Sequence, residues 1–83
     1  MEQQIKMAAK LYQCRDTAKR WCKEEYHEKI RHYIDHLRLV MKNESIDEIQ
    51  ALLKISKTEF YQENGMVQMF FMAAVVEILE PSK

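Results

Sequence analysis

Apolar residues recur every three or four positions along the first half of the chain: Met7, Leu11, Cys14, Ala18, Cys22, Tyr26, Ile30, Tyr33, Leu37 and Val40. That spacing puts them on one face of an α-helix. No Gly or Pro interrupts the series, so it predicts a single helix of about 40 residues, near 60 Å long. A break at Asp16 or Thr17, either of which can cap a helix, is the alternative. The opposite face pairs Asp16 with Arg20, Glu25 with Lys29 and Asp35 with Arg38, as a solvated helix surface does. Trp21 and Leu39 fall off the apolar stripe, so a second element or a partner chain is expected over part of that flank.

Beyond Asn43 the pattern shortens. Ser45 with Glu48 three residues later reads as a capping box, which predicts a helix from Ile46 with Ile46, Ile49, Leu52 and Leu53 on its apolar face. Ser56 and Glu59 repeat the signature and predict a restart at Lys57 that buries Phe60 and Tyr61. Asn64-Gly65 is the next strong break, and Pro81 ends the run MVQMFFMAAVVEIL at residues 66–79. Only Gln68 and Glu77 are polar in that run, and nine residues of helix place them about 180° apart, so the helix is apolar on nearly every side. It is too short for the ~20 residues that cross a bilayer. A strand over FFMAAVV lacks a pairing partner elsewhere in the chain. The expectation is one all-α domain over residues 1–83. It is a small three- to four-helix bundle with a long N-terminal helix and a central, apolar C-terminal helix.

Composition narrows the function. One Gly and one Pro in 83 residues leave few turns for a sheet and no glycine-rich loop to cradle a phosphate or a dinucleotide. A domain of this size buries only about 60 to 65% of its unfolded surface, so its stability is slender or shared with a partner. The N-terminus has no unbroken apolar stretch of the kind a secretory signal needs, and a cytoplasmic protein is expected. Cys14 and Cys22 stand about 12 Å apart along a helix and read as reduced thiols. Residues 1–42 carry ten Lys and Arg against six Asp and Glu, whereas residues 43–83 carry three against seven. A basic helix beside an acidic one, in the same fold or in a dimer, explains that asymmetry; a nucleic-acid surface is the sharper reading.

Chemistry is sparse. Glu28, His32 and His36 have a spacing that lets one helix face hold zinc, but they lie on the charged side where histidines are ordinarily solvated, and no HExxH or CxxC pattern accompanies them. Cys22 and His27 point about 140° apart on a helix and do not form a nucleophile and base. No enzyme activity, metal or cofactor is expected. Met66, Met69 and Met72, alternating with Phe70 and Phe71, suit either a core or an adaptable interface with a second subunit or a protein partner.

Residues 46–62, IDEIQALLKISKTEFYQ, resemble the helix-turn-helix of DNA-binding regulators at Leu52, Leu53, Ile55, Ser56, Thr58, Phe60 and Tyr61. The resemblance implies that Lys57, Thr58, Tyr61 and Gln62 face a major groove. The surrounding half of the chain is net acidic, contrary to what phosphate contacts require. The leading expectation is therefore a protein–protein interaction or self-association module, a homo-oligomer included, with DNA binding as the alternative.

Overall fold

The structure is a computed structural model that describes residues 2–81, with side chains from residue 5 onward. The described residues form five helices: α1 (Glu2–Trp21), α2 (Tyr26–Glu44), α3 (Glu48–Ile55), α4 (Glu59–Gln62) and α5 (Gly65–Leu79). The fold is all-α, with no strand among the described residues, and residues 70–76 lie inside α5. Its radius of gyration, 12.1 Å, is that of a compact domain of this length, roughly 12 Å. No described helix is long and apolar enough to cross a membrane.

The central role of the C-terminal helix is as the sequence implies. Val67, Phe70, Phe71 and all four residues from Ala73 to Val76 are buried, and each of the other four helices packs against α5. Leu11 and Ala18 of α1 and Tyr26, Ile30 and Leu37 of α2 complete the same core.

The 40-residue helix is not formed. The chain turns at residues 22–25, between α1 and α2, rather than at Asp16 or Thr17. Thr17 instead donates its hydroxyl to the Gln13 carbonyl at 2.9 Å within α1. The cause is tertiary. α5 has 15 residues, about 22 Å of helix, and covers only part of a 60 Å stripe. Folding back lets both halves of the stripe bury on the same helix.

The caps are displaced from their expected positions. Ser45 closes α2 in the left-handed region (φ 54°) instead of opening the next helix. The capping box is formed two residues later: the Asp47 carboxylate accepts from the Gln50 N–H at 2.8 Å, and the Gln50 side chain accepts from the Asp47 N–H at 3.2 Å. α3 accordingly starts at Glu48 rather than Ile46. Likewise Thr58, not Ser56, caps α4. Its hydroxyl accepts from the Tyr61 N–H at 3.4 Å and donates to the Ile55 carbonyl at 2.7 Å. Asn64 opens α5, its side-chain oxygen accepting from the Met66 and Val67 amides at 3.1 and 3.3 Å.

Candidate interaction surface

Two of the five C-terminal residues expected at an interface are interior. Phe70 and Phe71 are 2% and 1% exposed. Tyr33 stacks on Phe70 with ring centroids 5.3 Å apart and meets Phe71 edge-on at 4.9 Å, while His36 also packs edge-on with Phe71 at 5.3 Å. Four helices close around α5, so its aromatic face needs no second subunit. Met69 and Met72 are half-buried, and only Met66 of the five is exposed. The Cys14 thiol donates to the Met72 sulfur at 3.5 Å, and burial pushes that thiol above its ordinary pKa.

The segment resembling a helix-turn-helix does turn between Ser56 and Thr58, but α4 is a single turn of four residues, about 6 Å long. Tyr61 is buried and tilts against Phe71, so it does not face a groove. Lys57, Thr58 and Gln62 are exposed, with the Thr58 hydroxyl committed to the cap and the Gln62 amide donating to the Ser56 carbonyl at 3.4 Å. Glu59 and Glu63 are exposed beside them, so the surface around α4 repels phosphates.

The histidines of the zinc-like spacing are engaged otherwise. His32 lies edge-on to Tyr33 at 5.6 Å and His36 to Phe71. Among the described residues no group of three or more His, Cys, Asp or Glu is placed to hold a metal ion. The polar residue Glu77 of α5 is answered from the other helices. Tyr26 donates its hydroxyl to Glu77 Oε1 at 3.1 Å, and Lys19 Nζ lies 3.5 Å from the same oxygen. Burial, with the Glu77 charge second, holds the Tyr26 phenol far above its usual pKa.

A largely apolar groove of about 350 Å³ lies where α1, α3 and α5 meet. It is lined by Met7, Leu11 and Tyr12 of α1, Ile49 of α3, and Val76 and Leu79 of α5. It exists because α1 and α3 both lean on α5 and leave a trough between them. A second hollow of about 200 Å³ continues from Met7 and Leu11 past Leu52 and Met72, edged by Lys6 and Lys10. Both lysines are exposed and make no ion pair among the described residues. At the other end a hydrogen bond with Glu80 raises the Tyr12 phenol above its ordinary pKa. Ile5 and Leu79, with 68% and 53% of their surface in water, add to the exposed apolar area on α1 and at the end of α5.

A different cleft, more polar at its edge, lies beside the exposed Trp21 and is lined by Met66, Met69, Thr17 and Glu63. The flank carrying Trp21 thus stays open, and Leu39 is likewise exposed. In the sequence Met7 and Leu11 lie on the core stripe, whereas Ile5 lies off it and Leu79 is one apolar residue among many in the C-terminal run. The signal available was a second apolar row, Ile5, Ala8, Ala9 and Tyr12, running beside the first at helical spacing. Comparison with known proteins finds no matching family model, no curated relative and no matching solved structure.

Proposed function

We propose that the chain is a small protein–protein interaction module whose groove between α1, α3 and α5 takes an amphipathic segment with an acidic flank from a partner protein. The observation that carries this reading is the pairing of apolar side chains from three helices with two exposed lysines, Lys6 and Lys10, at the edge of the adjoining hollow. Burying one Leu or Phe side chain in such a trough contributes about 1.5 to 3 kcal/mol, and two or three anchors dominate an interface of this kind. Carboxylates opposite Lys6 and Lys10 fix the orientation and speed the encounter. This reading assigns the chain no reaction and no cofactor. Cys14 and Cys22, both free thiols, suit the reducing cytoplasm as its place of work.

Labelled helical peptides test the proposal by fluorescence anisotropy. A peptide with Leu and Phe on one face and Glu along its edge is expected to bind, more weakly as salt rises. Its counterpart with Lys along the edge should bind less well. Leu79→Asp should abolish binding, and the double change Lys6→Glu with Lys10→Glu should reverse the preference. Equal affinity for both peptides, untouched by Leu79→Asp, would refute the reading. Mass that grows with protein concentration and is lost in Leu79→Asp would make a second copy the occupant instead.

A further inference from the structure

The corner between α1 and α2 is built unlike the other helix junctions. α3, α4 and α5 each begin on a side-chain cap, from Asp47, Thr58 and Asn64. α2 begins at Tyr26 with no side-chain cap, and Glu25, at the N-cap position, has a near-helical backbone (φ −105°, ψ −2°). The corner residues Cys22, Lys23, Glu24 and Glu25 include neither Gly nor Pro, and Lys and Glu are good helix formers. Helix-like hydrogen bonds run into and out of the turn, from the Cys22 N–H to the Ala18 carbonyl at 3.0 Å and from the Lys29 N–H to the Glu25 carbonyl at 2.9 Å. No residue of the corner has a positive φ. The apolar stripe also passes through without losing register, in steps of four from Ala18 to Cys22 to Tyr26. The local sequence therefore favours a straight helix here, and only the shared seat on α5 bends it.

We infer that two copies of this chain exchange α1. The corner straightens, α1 and α2 merge into one helix, and the face of α5 that each copy's own α1 covers receives α1 of the other copy. A continuous helix from Glu2 to Glu44 is about 65 Å long, whereas the longest dimension of the folded chain is 32 Å. A straightened α1 thus cannot reach its own α5. The exchange keeps the contacts that seat α1, including Cys14 against Met72 and the ion pair of Lys19 with Glu77. It adds the backbone bonds missing from the uncapped start of α2. Exchange of an identical element between copies is a low-cost route to a dimer, and it depends on concentration. It requires no contact through the groove and stands apart from the proposal above.

The test uses the full chain, sized by light scattering across protein concentration. Alanine at Lys23, Glu24 and Glu25 is expected to raise the dimer share. Glycine at Lys23 and Glu24 should lower it, because two glycines disfavour a continuous helix roughly thirtyfold per chain relative to alanines. Far-ultraviolet circular dichroism confirms that each variant is folded. A second variant, Met72→Cys with Cys22→Ser, places a thiol beside the native Cys14. A short bismaleimide should then link residues 14 and 72 within one chain in the monomer and between chains in the isolated dimer. Leu79→Asp should leave this dimer intact. A dimer whose 14–72 link stays within one chain would overturn the inference, as would a folded alanine variant that remains monomeric at every concentration.

Discussion

Replacing Phe71 by Ala removes the ring around which Tyr33, His36 and Tyr61 are arranged. The side chain is 1% exposed, so the substitution forfeits nearly its whole burial and leaves a cavity enclosed by other helices. Phe→Ala changes at such positions cost about 3 to 5 kcal/mol. At roughly 0.05 to 0.15 kcal/mol per residue, a chain of this length has only about 4 to 12 kcal/mol in total. The variant should therefore melt at least about 12 °C lower, taking about 4 °C per kcal/mol for a domain of this size, or fail to fold at all. Phe71→Leu keeps most of the volume and should lose about 1.5 kcal/mol or less. Trp21→Ala is the control: the indole is as large but 71% exposed, and its removal should cost within about 0.5 kcal/mol. Thermal melts and urea titrations followed by circular dichroism measure all three. If Phe71→Ala costs no more than Trp21→Ala, residues 65–79 are not the interior of this protein and the account of its fold fails.

Two further expectations concern polar groups. Because the native state keeps the Tyr26 phenol protonated above its ordinary value of 10, its contribution is complete below that pH and is lost as pH rises beyond it. Tyr26→Phe should lower stability by about 1 kcal/mol at neutral pH, through the lost bond to Glu77, and flatten the alkaline decline; urea titrations at neutral pH and above pH 10 would reveal an unchanged slope if this is wrong. At the start of α5, Asn64→Ala should cost about 1 kcal/mol, since two amides lose their acceptor. Gly65→Ala should instead gain about 0.4 to 1 kcal/mol, because an added Cβ meets nothing within 4 Å. Paired melts of these two variants should shift in opposite directions.

Much of the interior was legible because burial follows helical period. Leu11, Ala18, Tyr26, Ile30 and Leu37 lie on the stripe read from the sequence, and all are buried. The turn at Cys22–Glu25 was not legible, because its residues favour helix and only packing on a short α5 bends the chain there. The caps were recognised by residue type but misplaced by two positions, since Ser45 and Asp47, like Ser56 and Thr58, are equally able to accept a backbone hydrogen bond. Tertiary position decides between them. That α5 is central was legible from its apolar circumference, but which of its side chains lie deepest was not: Phe70 and Phe71 are interior, and Met66 is exposed, because of where the other four helices seat on it. The groove was hidden for the same reason: it depends on how α1 and α3 diverge across α5. Lys6 and Lys10 were visible beforehand only as part of a basic half.

That every other helix rests on α5 also bears on how the protein is made. A ribosome builds the chain from its N-terminus, so all the residues before Gly65 are polymerised while their common support is still unsynthesised. Isolated helices of α1 and α2 length are marginal in water. At about 5 to 20 residues per second, α5 takes on the order of one to three seconds to appear. Until then the nascent stripe stays wet, a natural binding site for holdase chaperones, and native structure forms in one late step rather than progressively.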